Sequence, residues 1–332
     1  MSTITVAQFN TLAEALSNPA LCPNSGFTSL PPEAMSWPAR GDALVAHVRA
    51  ADADVVCLQE VDHYRDTFYP RLRELGYEGC FREDEWSPCR RTSSGALRDG
   101  VAIFYRADKL ELCGSHVPFV PRERKDVADP GRDAGKCLIA RFRLLAPREL
   151  THSDRFDEYV NAMEELVVAC AHLDSKKDEE GAAKRRLQAM AAASEATRFR
   201  AFSCTNPSTV PILFVGDLNA TPDEPAVRWL KQSAQPRFFS AYERADGAEP
   251  RFTTWKIRSG PFKPGEAKMC IDYVMASEGC EVVDVRKLAG EEEIGEKGLP
   301  CATHPSDHLL LRATIRLGTP PRREESQPEN AT

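Results

Sequence analysis

An apolar run near residue 215 stops abruptly at a carboxylate and a carboxamide. Ile212–Val215 is followed by Gly216, Asp217 and Asn219. Because side chains alternate along an extended chain, Asp217 and Asn219 face the same way, and Gly216 leaves room for a close backbone approach. A carboxylate and an amide so placed can orient a water molecule for attack on a phosphoester. This strand end is therefore a candidate hydrolytic site.

Other polar side chains stand at the ends or at the starts of further apolar runs. If all of them are to meet at one edge, neighbouring strands must run in opposite directions. The pattern therefore predicts an α/β fold in which two mixed, mainly antiparallel sheets form a sandwich with helices outside. The residues at strand exits are Asn10, Glu60, His172 and Asp217, and those at entrances are Asp99, Asp272, Asp307 and His308.

These residue types suit a divalent metal and phosphoester hydrolysis. Carboxylate and amide oxygens are hard ligands for Mg²⁺ or Mn²⁺, whereas the lack of clustered Cys and His argues against zinc. Glu60 and Asp307 fit the one or two carboxylates that usually hold Mg²⁺ beside substrate phosphate oxygens. Hydrolysis also needs an oriented water and positive charge near the phosphorus. The groups available for those roles are Asp217, Asn219, His172 and His308.

The segments between these residues alternate predicted strands and helices. Residues 82–99 predict a polar loop, a Pro- and charge-rich connection lies between the strands at 101–105 and 138–145, and 146–165 predicts an exposed acidic insertion rather than a metal site. The predicted helices span 37–51, 66–76 and 181–202. The other predicted strands end at 10, 60, 172 and 217 or lie at 271–275 and 309–315.

Composition indicates one catalytic domain, residues 1–317, followed by a disordered tail, 318–332. The net charge of −7 excludes the global basic field that drives non-specific binding to long nucleic acids. Eleven cysteines without a Cys-x-x-Cys pair indicate reduced thiols rather than a zinc ribbon or a disulfide framework. Without an apolar run of membrane-spanning length or a targeting segment at the start, we expect a monomer in the cytoplasm, with nuclear or organellar placement left open.

In this order the motifs resemble the endonuclease/exonuclease/phosphatase superfamily over about residues 3–316. The resemblance implies a four-layer αββα sandwich and metal-dependent phosphoester hydrolysis. The motifs that carry it are Asn10, Leu58-Gln59-Glu60, Asp99-Gly100, His172, Gly216-Asp217-Leu218-Asn219, Ile271-Asp272-Tyr273 and Ser306-Asp307-His308.

Within that superfamily the chain is similar to the group of nocturnin and the carbon-catabolite-repression-type deadenylases. Its carrying segments are residues 58–64, 66–68, 75–77, 86–89, 253–258 and 305–309. The resemblance implies Mg²⁺ at Glu60 with Asn10 close by, and Asp272 as the group that holds the tautomer of His308. It also implies that Asp217 orients or deprotonates the water, that Asn219 positions it, and that His172 and His308 contact the scissile phosphate.

Two substrate classes follow from this group: NADP(H), which would lose its 2′-phosphate, and poly(A) RNA, which would be shortened from its 3′ end. Asp84 and Asp174 stand where the nocturnin pattern has lysines, and Lys176 replaces an arginine, whereas Arg258 is retained. A nocturnin-like NADP(H) 2′-phosphatase is the first hypothesis, a deadenylase-type 3′ exoribonuclease the second, and a catalytically silent binding module the third.

We predict that Arg258, Lys176 and Trp255 contact the substrate. Trp255 and Trp86 could stack on a base, although packing in the core is the alternative for such a ring. Lys177 and the basic run 184–186 could supply further positive charge, or could form the solvated start of a helix.

Overall fold

Two stacked sheets with helices on their outer faces make up the fold. The computed structural model describes residues 2–318 apart from 19, 23–24, 28, 38, 86, 88, 90–97, 118, 121–131, 134–136, 146–163, 204–205, 207–208 and 260–263. The predicted tail from 319 onward, Trp86 and most of the predicted insertion at 146–165 lie outside the described residues, and the domain boundary at 317 stays a prediction. None of the helices in the described ranges is long and apolar enough to cross a membrane.

Each of the two large sheets has six strands in the described part of the chain. In spatial order the first sheet contains β15 (Glu281–Val285), β16 (Leu311–Arg316), β1 (Thr3–Asn10), β2 (Val55–Gln59), β4 (Gly100–Arg106) and β3 (Tyr77–Glu83). The second contains β11 (Phe238–Ser240), β14 (Asp272–Ser277), β10 (Ile212–Asp217), β9 (Glu165–His172), β8 (Cys137–Leu144) and β5 (Leu110–His116). Two ribbons pair β12 (Thr254–Arg258) with β13 (Gly265–Met269), and β6 (Phe119–Val120) with β7 (Arg132–Asp133).

Helices cover the outer face of each sheet. Leu44, Val48 and Leu72 pack on the outer face of the first sheet, while Ala189 and Val227 pack on that of the second. A third cluster fills the space between the sheets, so the predicted four-layer αββα sandwich is confirmed. The described helices are α1 (Glu14–Ser17), α2 (Pro32–Met35), α3 (Ala39–Ala51), α4 (Tyr69–Glu74), α5 (Glu179–Phe199), α6 (Pro225–Gln232), α7 (Ala241–Asp246) and α8 (Glu291–Ile294), with a π-turn at Tyr64–Phe68 and a 3₁₀ turn at Arg200–Phe202.

Strand direction brings the polar strand ends together. β1 and β2 are parallel, with Asn10 opposite Gln59, and β9 and β10 are parallel, with His172 opposite Asp217. The antiparallel strand β14 places Asp272 at its first position, also opposite Asp217. Because all other neighbours in the two large sheets are antiparallel, the prediction of mixed, mainly antiparallel sheets is confirmed.

Gly216 is required by the close packing of β9 and β10. Its φ is +149°, and a Cβ at this position would overlap the carbonyl oxygen of Ala171. Any other residue would therefore push the two strands apart or strain the backbone. The glycine thus keeps Asp217 level with His172 on the neighbouring strand.

Three expectations about secondary structure are wrong. The predicted loop 82–99 begins with the last residues of β3, and the predicted Pro- and charge-rich connection contains β5. Both are edge strands that are only partly buried, so they lack the apolar run that marks a central strand. Glu165 was assigned to the exposed insertion but is buried at the start of β9, where Oε1 accepts a hydrogen bond from Arg141 at 2.9 Å.

No disulfide bond joins any two of the ten cysteines in the described ranges. Burial raises the pKa of Cys89, Cys113 and Cys270 above the ordinary thiol value. Cys301 differs: burial raises its pKa, but hydrogen bonds with His304 and Thr303 more than offset this and bring it to about 7. Its Sγ lies 3.7 Å from His304 Nδ1 and 3.4 Å from Thr303 Oγ1.

We therefore expect iodoacetamide to label Cys301 first at pH 7.5, about 10-fold faster than Cys113, because the thiolate is the nucleophile. Mass spectrometry of timed digests measures both rates, and the Cys301 rate should rise with pH through 7 and then level off. C301S identifies the labelled peptide. Equal labelling of Cys301 and Cys113 would contradict the assignment.

Candidate active site

Asn10 joins the two sheets at the centre of the polar edge. Its Nδ2 donates to Glu60 Oε1 at 3.1 Å and to Asp217 Oδ2 at 3.0 Å. The backbone N–H of Leu12 donates to Asn10 Oδ1 at 3.0 Å, which fixes the orientation of the amide. Two carboxylates from different sheets thus share one donor. Asn10, predicted as a metal ligand, presents its nitrogen rather than its oxygen to them.

Two histidines face this carboxylate pair. His172 Nε2 lies 3.9 Å from Glu60 Oε1 and 3.8 Å from Asp217 Oδ2, and His308 Nε2 lies 3.8 Å from the same oxygen of Asp217. These separations exceed hydrogen-bond length, so the rings and carboxylates surround a space rather than bond to each other. A phosphate oxygen or a water molecule can bind in such a space.

His308 is held by a buried carboxylate. Its Nδ1 lies 2.9 Å from Asp272 Oδ2 and 3.1 Å from Oδ1. Asp272 also accepts hydrogen bonds from Thr253 Oγ1 at 2.5 Å and from Gln8 Nε2 at 2.9 Å. With its lone pairs engaged in this way, Asp272 orients the ring so that Nε2 points at Asp217.

Asp307 lies among cations supplied by β12. Lys256 Nζ is 2.8 Å from Asp307 Oδ2, and the Arg258 guanidinium is 3.7 Å from it. Burial raises the pKa of Asp307, but the charges of Lys256, His308 and Arg258 outweigh burial and hold it well below its ordinary value. Asp307 is therefore an anion at neutral pH. Its Oδ1 has no hydrogen-bond donor among the described residues.

The charge of His308 follows from its neighbours. Burial lowers its pKa, whereas the charge of Asp272 raises it. The charge of Lys256 lowers the pKa further and that of Asp307 raises it, and together these effects bring the pKa of His308 to about 9. Lys256 Nζ lies 3.1 Å from Nε2, a contact that is a hydrogen bond only with a neutral ring. We take the protonated ring as the resting state, because the Lys256 ammonium has Asp307 as its alternative partner and the ring faces carboxylates on both sides.

The backbone is strained at the two residues that flank the centre. Glu60 has φ of +55° and Asn219 has φ of +50°, in the left-handed region that residues with a Cβ seldom adopt. Asn219 donates its backbone N–H to Asp217 Oδ1 at 2.8 Å and its Nδ2 to the carbonyl oxygen of Leu173 at 3.1 Å. Such strain persists only where surrounding contacts hold it, and it concentrates at functional sites.

The donor set fits a hard divalent cation. Glu60 and Asp217 converge on Asn10, and Asp307 offers a buried oxygen without a hydrogen-bond donor in the described part of the chain. Asp217, Asp272 and His308 also lie close enough together to hold a metal ion. Asp272 is already engaged by three side-chain donors. Glu60 and Asp307 also carry carboxylate oxygens, the ligand type that hard divalent cations prefer.

Comparison with known proteins identifies the family to which this chain belongs. The family model for the Endonuclease/Exonuclease/phosphatase family matches residues 7–308. The chain belongs to this family. Endonucleases, exonucleases and phosphatases all hydrolyse phosphoester bonds, so the predicted enzyme class, a phosphoester hydrolase, is confirmed at the level of the family. Enzymes of the Endonuclease/Exonuclease/phosphatase family generally use a divalent metal, in keeping with the oxygen-rich cluster.

Relatives within the family include human nocturnin, which is 31% identical over 315 residues, covering 93% of this chain and 64% of nocturnin. The carbon catabolite repressor protein 4 homolog 4 of Arabidopsis thaliana is 27% identical over 363 residues, covering 94% of this chain and 77% of that protein. The solved catalytic domain of human nocturnin, with a bound sulfate anion, superposes with a TM-score of 0.67 at 25% identity, covering 95% and 94% of the two chains. Because the match covers 64% of full-length human nocturnin, this chain spans less than two thirds of the length of that protein.

Two of the residues predicted to contact the substrate, Arg258 and Trp255, lie on opposite faces of β12. Arg258 points at Asp307, but Trp255 lies on the opposite face of β12, because side chains alternate along a strand. The Trp255 ring is 6% exposed, packs with Phe252 and Leu299, and faces the Lys268 ammonium at 3.8 Å. The structure thus places Trp255 in a small core, which corrects the expectation that it stacks on a substrate base.

Several residues that complete the site were not predicted from sequence. Gln8 and Thr253 hold Asp272, and Lys256 pairs with Asp307. Lys256 stands two residues before Arg258 on the same strand face, a spacing that could have indicated it. Gln8 and Thr253 carry no local signal, since their roles depend on contacts between strands far apart in sequence. Asp84 is buried rather than displayed to a substrate.

In metal-free protein we expect the free energy of unfolding to fall as pH rises from about 6.5 to about 9. His308 has its pKa raised on folding, so its stabilising contribution is complete below the unfolded value of about 6.5 and is lost as pH passes about 9. The loss is on the order of 3 kcal/mol. Urea unfolding at several pH values in the presence of a chelator measures it.

D272N is the comparison for this prediction, because it removes the charge that raises the His308 pKa. Its stability should change less over the same pH range than that of the wild type. An NMR titration of the His308 ring in the wild type tests the same point without a variant. A ring that titrates near 6.5 would contradict the assigned pKa.

Proposed function

We propose that this protein is a Mg²⁺-dependent hydrolase of nucleotide phosphoesters, and most specifically an NADP(H) 2′-phosphatase of the nocturnin type. The observation that carries the proposal is the convergence of Glu60, Asp217, His172 and His308 on one space. Glu60, His172 and Asp217 come from the ends of two parallel strand pairs in different sheets, and His308 comes from the loop before β16. These groups match the needs of water attack on phosphorus.

Each side chain has a role that its contacts support. Asp217 Oδ2 accepts the proton of the attacking water, while Asn10 holds that carboxylate in place. The protonated His308, fixed by Asp272, donates from Nε2 to a phosphate oxygen, and His172 contacts the phosphate from the opposite side. A cation bound by Glu60 and Asp307 would neutralise charge on the phosphate and on the leaving oxygen.

Cationic side chains near the site, among the described residues, support a nucleotide with phosphate groups as the substrate. Lys256 and Arg258 reach Asp307 from β12, and Lys177 Nζ lies 3.0 Å from the carbonyl oxygen of Asn219. The likeness to nocturnin across 93% of the chain favours the NADP(H) reading. Asp174, which replaces a lysine of the nocturnin pattern, pairs with Lys184 rather than facing the centre, so this acid does not oppose an anionic substrate.

Shortening of poly(A) RNA is the second candidate. It is favoured by the similarity to the carbon catabolite repressor protein 4 homolog across 94% of the chain. The net charge of −7 provides no general attraction for long RNA, which places this candidate second.

Parallel assays of phosphate release from NADPH and of oligo(A) shortening, with Mg²⁺, Mn²⁺ or a chelator, test both candidates. We expect metal-dependent phosphate release from NADPH that the chelator abolishes. Shortening of oligo(A) alone would replace the first candidate by the second. Activity on neither substrate would reject both candidates and point to a different phosphoester as the substrate.

A further inference from the structure

The segment 174–178 links β9 to helix α5, and its charged side chains point in three different directions. The Asp174 carboxylate pairs with Lys184 on α5, and its backbone N–H donates to Gln188 Oε1 at 2.9 Å. Lys176 Nζ lies 3.5 Å from Glu180 Oε2, and its side chain is 57% exposed. Neither residue at the positions expected to meet a phosphate is therefore turned toward the centre.

Lys177, the next residue, reaches the centre instead. Its Nζ donates to the carbonyl oxygen of Asn219 at 3.0 Å and to Asn219 Oδ1 at 3.2 Å. Asn219 in turn donates its backbone N–H to Asp217 Oδ1. Asp217 thus has one oxygen toward the histidines and the other toward Asn219 and Lys177. The ammonium therefore lies beside Asn219, next to the reaction centre.

The backbone of this segment is held so that Lys177 points inward. Asp178 caps α5 by accepting the backbone N–H of Gly181 at 2.8 Å, and a Cβ on Gly181 would overlap the carbonyl oxygen of Lys176. Buried Arg185 donates to the carbonyl oxygens of Asp174, at 3.1 Å, and of Lys176. A side chain presented from a fixed backbone loses less entropy when it binds a ligand.

Lys177 differs from the other cations at the site in the groups with which it pairs. Lys256 and Arg258 each face the carboxylate of Asp307. Lys177 has no carboxylate within ion-pair distance among the described residues, and its hydrogen-bond partners are the neutral oxygens of Asn219. Lys177 is exposed as a whole residue, but partial burial of its ammonium group lowers its pKa, as do the charges of Arg185 and Lys256, whereas Asp217 raises it. A cation paired only with neutral oxygens can accept an anionic partner from the substrate.

We propose that Lys177 is a specificity-determining residue that binds a second phosphate group of the substrate, beyond the one that is hydrolysed. The inference rests on the proposed function, because it assumes that the scissile phosphate occupies the space between Asp217 and the two histidines. It narrows the substrate class to nucleotides with at least two phosphate groups. Lys176, one position earlier, has no such role.

Binding measurements without turnover test this assignment. In the presence of a chelator, calorimetry compares NADP⁺, which carries three phosphates, with adenosine 2′-monophosphate, which carries one. K177M should weaken NADP⁺ binding about 10- to 100-fold, the range expected for one charge-assisted hydrogen bond. It should weaken adenosine 2′-monophosphate binding by less than about threefold, since that ligand has no second phosphate. K177R should retain most of the affinity.

K176M is the matched comparison, a neighbouring lysine on the same segment that pairs with Glu180. It should change both affinities by less than about threefold. An equal loss for the two ligands in K177M would overturn the proposal, because it would show that the ammonium acts at the scissile phosphate or only through Asn219. A larger loss for NADP⁺ in K176M than in K177M would overturn it too. If RNA is the substrate, a short oligo(A) and AMP form the corresponding pair.

The failure of this inference is distinct from the failure of the proposed function. Hydrolysis of NADPH by the wild type, with unchanged NADP⁺ binding by K177M, rejects the role of Lys177 and leaves the hydrolase. Binding that depends on Lys177 without metal-dependent hydrolysis rejects the hydrolase and leaves the second-phosphate site. A wild type that neither binds these ligands nor hydrolyses NADPH with Mg²⁺ present rejects both.

Discussion

Replacing Glu60 by alanine is expected to lower Mg²⁺-stimulated phosphoester hydrolysis by at least about 1000-fold. Glu60 is the one candidate metal ligand that is partly exposed, and its two oxygens accept only Asn10 Nδ2 and the backbone N–H of Ala13 in the described structure. Without it, a cation would lose a carboxylate ligand next to the scissile phosphate. Steady-state kinetics over a range of Mg²⁺ concentrations measure the loss.

The fold should tolerate this change. Removing one of several crowded carboxylates relieves repulsion, so we expect the melting temperature of E60A to match or exceed that of the wild type. E74A is the matched control, because Glu74 is exposed at the end of α4 and should leave activity unchanged. Wild-type activity in a folded E60A would refute the placing of the metal at Glu60, and a lower melting temperature would show instead that the carboxylate stabilises the fold.

Asp217→Asn is expected to reduce turnover by about 1000- to 10,000-fold with little change in KM, because an amide of the same size cannot accept the proton of the attacking water. The substitution keeps an oxygen for the Asn219 N–H, but an amide nitrogen in place of Oδ2 would face Asn10 Nδ2, a donor against a donor. Turnover measured at saturating substrate separates this chemical loss from a binding loss.

Two controls make the Asp217 test specific. D246N alters an exposed aspartate at the end of α7 and should leave both kinetic constants unchanged. Substrate binding by D217N in the presence of chelator should stay within about threefold of that of the wild type, because the lost group acts on water rather than on substrate. A D217N protein with more than a tenth of wild-type turnover would remove Asp217 from the role of base.

Much of the fold was predictable because central strands carry a strong local signal. β1, β2, β9 and β10 are apolar runs that stop at a polar residue, and the position of that residue in each run indicated which edge would carry the chemistry. The helix over 179–199 was likewise predictable from its alanine-rich composition. Edge strands such as β3 and β5 were missed, because a strand that is half exposed has no continuous apolar run.

The substrate-binding side chains were less predictable than the reaction centre. Trp255 and Lys256 are adjacent in sequence, yet only Lys256 faces Asp307, because β12 turns alternate side chains to opposite faces. Lys176 and Lys177 present the same problem without a regular strand. Their directions follow from the cap of α5 and from Arg185, which is 11 and 9 residues away from the carbonyl groups that it binds.

The sequence by itself determined the class of chemistry. Its carboxylates, amides and histidines at strand ends indicate metal-assisted phosphoester hydrolysis, since the nature of a side chain and its place in a local element are both written in the chain. Only the tertiary structure decided which groups touch. Asn10 and Asp217 are 207 residues apart and meet at 3.0 Å, and Gln8 and Asp272 are 264 apart and meet at 2.9 Å. Such contacts depend on the pairing and stacking of whole sheets, which the order of residues in any one segment does not specify.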